Sequence, residues 1–401
     1  MKGPLAFLLL IIILGNSYCK NLFSTDEEPN DLCIECLQNY ELLKIDEQNV
    51  RSKIHDKKKE HLLDSLFNYR AKKLGFNGNV LIAQQGVEIY NHSFGYENYN
   101  HKIKLSENSK FQLASISKTF TAVAVLHLIE IGKLSLEDSV QEYYPKFPIH
   151  CITLKMLLSH RSGLPDYRFT YEDSAALSFK KVTNQDLMRW IENQLPPLQL
   201  KQGRGFSYCN TNYAILAAIV EKATGMKFEE YMKRYILNPI GMYNTHFITT
   251  QDEKLNEHRT IGYNNNWSSI ATDAFDGILG DKGVYSTTHD LLQWYKILTS
   301  DCFLKKETLE LAFTPQSFEH PGNKNYGLGF RMYEYAPGKK YIFHNGWWKG
   351  YNTVFYTNQQ ERYVIIVLGN KFNRSVYALN EIKNILNEGS IDNSLNDDGE
   401  E

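Results

Sequence analysis

Phe111-Gln112-Leu113-Ala114-Ser115-Ile116-Ser117-Lys118 leads into Thr119-Phe120-Thr121 and then Ala122-Val123-Ala124-Val125-Leu126, stopping at Gly132. The stretch opens polar and becomes apolar nearly all round. A helix without a polar face belongs in a core, so the spacing predicts a central buried helix. Ser115 and Lys118, three positions apart at its start, share a face. A serine hydroxyl is a weak nucleophile until a base takes its proton. A neutral lysine amine can do so, although free lysine holds its proton up to about pH 10.4. Burial and the positive end of the helix dipole both disfavour the ammonium form. The same helix start would offer the Ser115 backbone N–H to an oxyanion. On spacing alone the plainer reading, a helix cap beside a solvated lysine, prevails. Ser178-Phe179-Lys180-Lys181 repeats the spacing and reads as surface.

Outward from this helix the pattern changes on both sides. His61 to Lys73 carries Leu62, Leu63, Leu66, Phe67 and Tyr69 at helical spacing. Asn79-Val80-Leu81-Ile82-Ala83, then Gln84-Gln85-Gly86, then Val87-Glu88-Ile89-Tyr90 predicts a β-hairpin. Residues from roughly 150 to 300 read as mainly helical with long connections. Tyr326–Met332, Tyr341–His344, Thr353–Thr357 and Tyr363–Leu368 read as successive strands, and Val376–Leu386 as a helix. An antiparallel sheet assembled from both chain ends, flanked by helices and holding an inserted, mainly helical region, satisfies this order. The fold class is mixed α/β of the α+β kind.

The segments at the ends are of another kind. Lys2 precedes an apolar run from Leu5 to Leu14, too short to span a bilayer, so residues 1–17 read as a signal peptide cut after Ser17. Lipid attachment at Cys19 is the competing reading, and the only route to a membrane; the bulky Tyr18 opposes it. Either way the protein is expected to be exported, periplasmic or secreted. Residues 18–60 read as a charged spacer, 61–386 as one large domain, and 387–401 as an acidic disordered tail. Cys33-Ile34-Glu35-Cys36 is a lone C-x-x-C without the second pair a zinc site takes. It admits a local disulfide in an oxidising compartment. Cys151, Cys209 and Cys302 read as single buried thiols. The formal charge of −2 and the scattered basic residues exclude the concentrated positive field that nucleic acid needs. Lys57-Lys58-Lys59 reads as a solvated helix face.

Two further elements set Ser115 in context. Gly203-Arg204-Gly205-Phe206-Ser207-Tyr208-Cys209-Asn210 is a glycine-flanked loop leading into a helix over Ala214–Thr224. Among several Tyr-x-Asn patterns only Tyr208 stands between such a loop and a helix start, where its hydroxyl can be aimed into a cleft. His344-Asn345-Gly346 ends a short strand before Trp347-Trp348. Its rival His320-Pro321-Gly322 carries a proline unsuited to a central strand.

Taken in this order, the three elements resemble the penicillin-recognising serine hydrolases: class C β-lactamases, D-alanyl-D-alanine carboxypeptidases, D-aminopeptidases and related esterases. Leu157-Leu158-Ser159-His160-Arg161-Ser162-Gly163-Leu164-Pro165, Gly283-Val284-Tyr285-Ser286-Thr287 and Tyr326-Gly327-Leu328-Gly329-Phe330 are similar to other segments of that family. The resemblance spans about residues 62–386. It implies a β-lactamase/transpeptidase-like fold and an acyl-serine hydrolase without metal or cofactor. Ser115 would attack a carbonyl; Lys118 would take its proton, alone or with Tyr208, which relays a proton to the leaving group. Asn210 would hydrogen-bond the lysine or a substrate amide. His344 and Gly346 would lie on the strand edging the cleft, and the Trp347 N–H would be the second oxyanion donor. The substrate would be a small molecule or peptide, either an ester or a D-amino-acid amide; a binding protein for cell-wall peptides or β-lactams, without turnover, is the alternative. β-Lactamases of this group carry Lys-Thr-Gly where this chain has His344-Asn345-Gly346. A mostly neutral histidine disfavours carboxylate-holding β-lactamase or carboxypeptidase activity. Trp347 and Trp348 would wall the cleft or pack the strand. Cys209 is expected to face away from the cleft, and the remaining histidines read as plain surface or core residues.

Overall fold

The computed structural model describes residues 56–171, 181–251, 253–319, 322–336 and 339–387, together with Val50 and Ile54. The expected leader, most of the spacer with Cys19, Cys33 and Cys36, the tail from residue 388, His320-Pro321 and Ser178 lie outside the described residues. Helix α1 (Lys57–Lys73) starts ahead of His61 because the Asp56 carboxylate accepts the Lys58 N–H at 2.8 Å. Strands β1 (Gly78–Gln84) and β2 (Val87–Phe94) make the expected hairpin. Gln85 and Gly86, both at positive φ, form its tight turn.

Helix α2 (Ser117–Glu130) is the predicted buried helix, preceded by the 3₁₀ turn Ala114–Ile116 that holds Ser115. Around it lie α3 (Asn184–Gln194), α4 (Asn210–Thr224) and α5 (Thr288–Leu298). The Phe120 ring stacks on Trp294 at 4.0 Å, and the Trp294 indole donates to Thr119 Oγ1 at 3.1 Å. Helix α4 begins at Asn210 rather than Ala214 because the Asp166 carboxylate accepts the Asn210 N–H at 3.2 Å. The region is not purely helical. Phe111–Gln112, Val284–Ser286 and His246–Phe247 form a small antiparallel sheet that clamps the approach to Ser115.

Five late strands complete the large sheet: β3 (Lys324–Tyr326), β4 (Arg331–Ala336), β5 (Lys339–Trp348), β6 (Tyr351–Asn358) and β7 (Tyr363–Gly369). The order is β2-β1-β7-β6-β5-β4-β3, so the two chain ends meet where β1 pairs with β7. Leu81, Ile366 and Leu368 face the helical body, while Val80, Ile365 and Val367 face α1 and the C-terminal helix α6 (Asn380–Asn387). Burial on both faces is why these strands read as unbroken apolar runs.

Three expectations are corrected. Tyr326–Met332 is not one strand: the chain turns at Gly327–Phe330, and Gly329 (φ 94°) presses onto α2, where a Cβ would lie 2.3 Å from Ala122 Cβ. The segment Val376–Leu386 splits into a 3₁₀ turn, Arg374–Tyr377, and α6. The buried Arg70 guanidinium takes the Ser375 and Ala378 carbonyls, which a continuous helix would keep for itself. Finally, β5 does not end at His344-Asn345-Gly346 but runs on through Trp348, because β6 pairs with it to the end.

Candidate active site

Leu113 is gripped from two sides: its N–H donates to Val284 O at 2.8 Å and its carbonyl accepts the Thr353 hydroxyl at 2.8 Å. That anchorage sets the turn carrying Ser115 against both sheets. Lys118, fully buried one turn on, places Nζ 3.1 Å from Ser115 Oγ, 2.8 Å from Asn210 Oδ1 and 2.9 Å from the Asp281 carbonyl. As an ammonium it would donate to all three. As a neutral amine it has two hydrogens and one lone pair. The Asp281 carbonyl can only accept, and so can Asn210 Oδ1. In that neutral form both hydrogens are taken up, the lone pair faces Ser115 Oγ, and the serine hydroxyl donates to it.

The orientation of Asn210 decides this, and Asp166 decides the orientation. Asp166 Oδ2 accepts the Asn210 side-chain amide at 2.7 Å as well as its backbone N–H. The amide nitrogen must face that carboxylate, so the amide oxygen must face Lys118. Burial works to raise the Asp166 carboxyl, but Arg168, Asn210 and the Arg168 N–H outweigh it and hold it below its ordinary range. Arg168 Nε and Nη2 both donate to it at 3.0 Å. Asp281, in turn, is held by the buried Tyr167 hydroxyl, which donates to its Oδ2 at 2.9 Å.

Tyr208 stands beside the lysine, with Lys118 Nζ 5.0 Å from its ring centroid. Its hydroxyl makes no hydrogen bond to Ser115 or Lys118. Gly346 packs directly on the nucleophile turn: a Cβ there would lie 2.2 Å from Leu113 O. This close approach is possible because β4 stops pairing with β5 at Phe343, leaving the later part of β5 free on that edge. Trp347, 60% exposed, lines the cleft together with Ser115, Asn210, Arg168, Lys282 and Trp348. The Trp348 indole is also tied to Asp276 at 3.2 Å, so both tryptophans form a wall.

His344 is on the expected strand but does not reach the cleft. Its side chain is fully buried, with Nδ1 2.8 Å from the Asn345 carbonyl and Nε2 3.3 Å from the Tyr326 hydroxyl. Burial, then Arg331 and Lys118, hold its ring well below the usual histidine range. It supplies no positive charge to a substrate. The cations at the cleft are instead Arg168, paired with Asp166, and Lys282, paired with Asp281. Burial pushes the Lys282 amine below its ordinary range against the pull of Asp281 and Asp276. Cys209 is buried as expected, its thiol pushed up to about 12 by burial and Asp166. Cys151, by contrast, is exposed, and Cys302 is half-buried.

Asp166, Arg168, Asp281 and Lys282 escaped the sequence reading. Asp166 follows the Leu157–Pro165 stretch directly, and Asp281 and Lys282 precede Gly283–Thr287. Adjacency to those stretches was the only signal they carried.

A family model described as Beta-lactamase matches residues 63–389. Penicillin-binding protein 4* of Bacillus subtilis (strain 168) is 35% identical over 331 residues, covering 78% of this chain and 72% of that protein. The putative penicillin-binding protein PbpX of the same organism is 27% identical over 398 residues, covering 96% and 95%. Among solved structures, the octameric penicillin-binding protein homologue from Pyrococcus abyssi superimposes with a TM-score of 0.68 at 26% identity, covering 80% of this chain and 76% of that one. FmtA from Staphylococcus aureus gives 0.68 at 25% identity, covering 83% and 90%.

Proposed function

The chain belongs to the beta-lactamase family, and from that premise we propose that it is an exported acyl-serine hydrolase acting on an ester or a D-amino-acid amide. The observation carrying this reading is the placement of Lys118 Nζ, 3.1 Å from Ser115 Oγ and fixed from behind by Asn210 Oδ1 and the Asp281 carbonyl. The Ser115 proton passes to Lys118 Nζ as Oγ bonds to the substrate carbonyl carbon. The oxyanion is held by the backbone N–H groups of Ser115 and Trp347. The bond to the leaving group then breaks, and Tyr208, recharged from Lys118, protonates it. Water hydrolyses the acyl-enzyme by the reverse proton path. The neutral, buried His344 supports an ester or amide without a bound terminal carboxylate over a β-lactam. Export rests on the Lys2 and Leu5–Leu14 pattern.

Intact mass after a fluorophosphonate or a labelled penicillin tests the mechanism. An adduct at Ser115, together with loss of ester hydrolysis in Ser115→Ala, is expected. No adduct, with Ser115→Ala as active as the parent, refutes it. An adduct that never turns over, with every ester and D-amino-acid amide inert, would instead mark a binding protein for cell-wall peptides or β-lactams. Parallel rates on esters, D-amino-acid amides and cephalosporins identify the substrate class.

A further inference from the structure

We propose that His160 is the positioning residue for Tyr208, an inference that rests on the acyl-serine reading above. Its contacts bracket the tyrosine. The His160 carbonyl accepts the Ser207 N–H at 2.8 Å, and His160 Nδ1 accepts the Cys209 N–H at 3.1 Å. The residues on either side of Tyr208 are thus both fastened to one histidine. Between those two bonds the rings of His160 and Tyr208 lie against each other, with centroids 4.3 Å apart at 37°.

The tautomer follows from the partners. A backbone N–H can only donate, so Nδ1 is the bare nitrogen and Nε2 carries the proton. Asn212 agrees: its Oδ1 accepts the Ser162 hydroxyl at 2.6 Å, which turns its amide nitrogen toward Nδ1 at 3.1 Å. His160 Nε2 is buried without a hydrogen-bond partner among the described residues. Burial first, then Lys118 and Arg331, hold the ring well below the usual histidine range, so it stays neutral. A neutral ring that accepts at Nδ1 and presents a flat surface to a phenol is a scaffold, not a proton carrier. It is fully buried and does not line the cleft at Ser115. Its effect must pass through Tyr208, and that makes it separable from a plain core histidine.

The separation comes from leaving-group chemistry. Tyr208 matters where the leaving group needs a proton and little where it departs as a stable anion. The experiment measures kcat/KM for a 4-nitrophenyl ester and for an alkyl ester of the same acid, in the parent, Tyr208→Phe, His160→Ala and the double variant. His160→Ala should cost the alkyl ester at least about tenfold more than the nitrophenyl ester. It should add almost nothing in the Tyr208→Phe background. His160→Asn, whose carbonyl can still accept the Cys209 N–H, should restore part of the alkyl-ester rate. Equal losses on both esters, or effects of His160→Ala and Tyr208→Phe that multiply, would overturn the proposal. If His160→Ala does not fold, His160→Asn, which keeps an acceptor for the Cys209 N–H but lacks the ring, should still cost the alkyl ester more than the nitrophenyl ester and add almost nothing in the Tyr208→Phe background; equal losses on both esters overturn the proposal. Failure of the parent to hydrolyse either ester, or to take a fluorophosphonate at Ser115, would count against the acyl-serine reading itself.

Discussion

Replacing Asn210 with alanine removes one of the two obligate acceptors that aim the Lys118 lone pair. In the parent, the Asn210 amide oxygen lies 2.8 Å from Nζ, and its nitrogen is anchored 2.7 Å from Asp166. Without it, one amine hydrogen is free to swing onto Ser115 Oγ, and the lone pair no longer has to face the hydroxyl. The lost hydrogen bond is worth about 1.5–3 kcal/mol if the amine passes through a charged state during proton transfer. At about 1.4 kcal/mol per decade, acylation should slow by roughly 10- to 100-fold. The assay is the second-order rate of Ser115 labelling by a fluorophosphonate, with kcat/KM for 4-nitrophenyl acetate beside it. Both are normalised to folded protein by thermal melting. Labelling within about twofold of the parent at an unchanged melting temperature would refute the lone-pair argument, because no other feature here forces the serine to donate.

Asp166→Ala should reproduce the Asn210→Ala defect without touching the lysine, and comparing the two labelling rates checks it. The depressed Asp166 carboxyl stabilises the fold at and above its unfolded-state value, about 3.9, and that contribution is lost as pH falls toward the folded value. Below about pH 4 the parent should therefore lose melting temperature more steeply than Asp166→Asn. In Gly346→Ala the new Cβ would lie 2.2 Å from both Leu113 O and Thr353 Oγ1, so β5 must retreat from the nucleophile turn. We expect a stability loss of about 1–3 kcal/mol in chemical denaturation and a matching fall in labelling rate. Among the described cysteines, iodoacetamide should modify exposed Cys151 in the native protein, while Cys209, with its thiol pushed to about 12, reacts only after unfolding. Peptide mapping before and after denaturant decides this.

Local pattern carried much of the architecture. The hairpin from Gly78, the buried helix behind Ser115 and the late strands each bury apolar side chains in a periodic way, and periodicity is visible in one dimension. Where a distant partner set the boundary, the reading slipped. Asp166 extends α4 back to Asn210, and Arg70 interrupts the last helix by taking its carbonyls. The long run of β5 through Trp348 depends on β6 alone. Likewise, His344 and His160 look alike as isolated histidines, and neither their burial nor their neighbours can be read from spacing.

What residue order by itself determined was the pairing of Ser115 with Lys118, because three positions on a helix lie on one face whatever surrounds them. It also determined a sheet closed by both chain ends, since unbroken apolar strands must find partners. Only the tertiary structure decided how the amine is aimed and which histidine stands by Tyr208. Those outcomes depend on Asp166, Asn210, Asp281 and His160, contributed by two loops and the first turn of α4. Hydrogen-bond direction is a property of atoms brought together from far along the chain, so no local pattern encodes it.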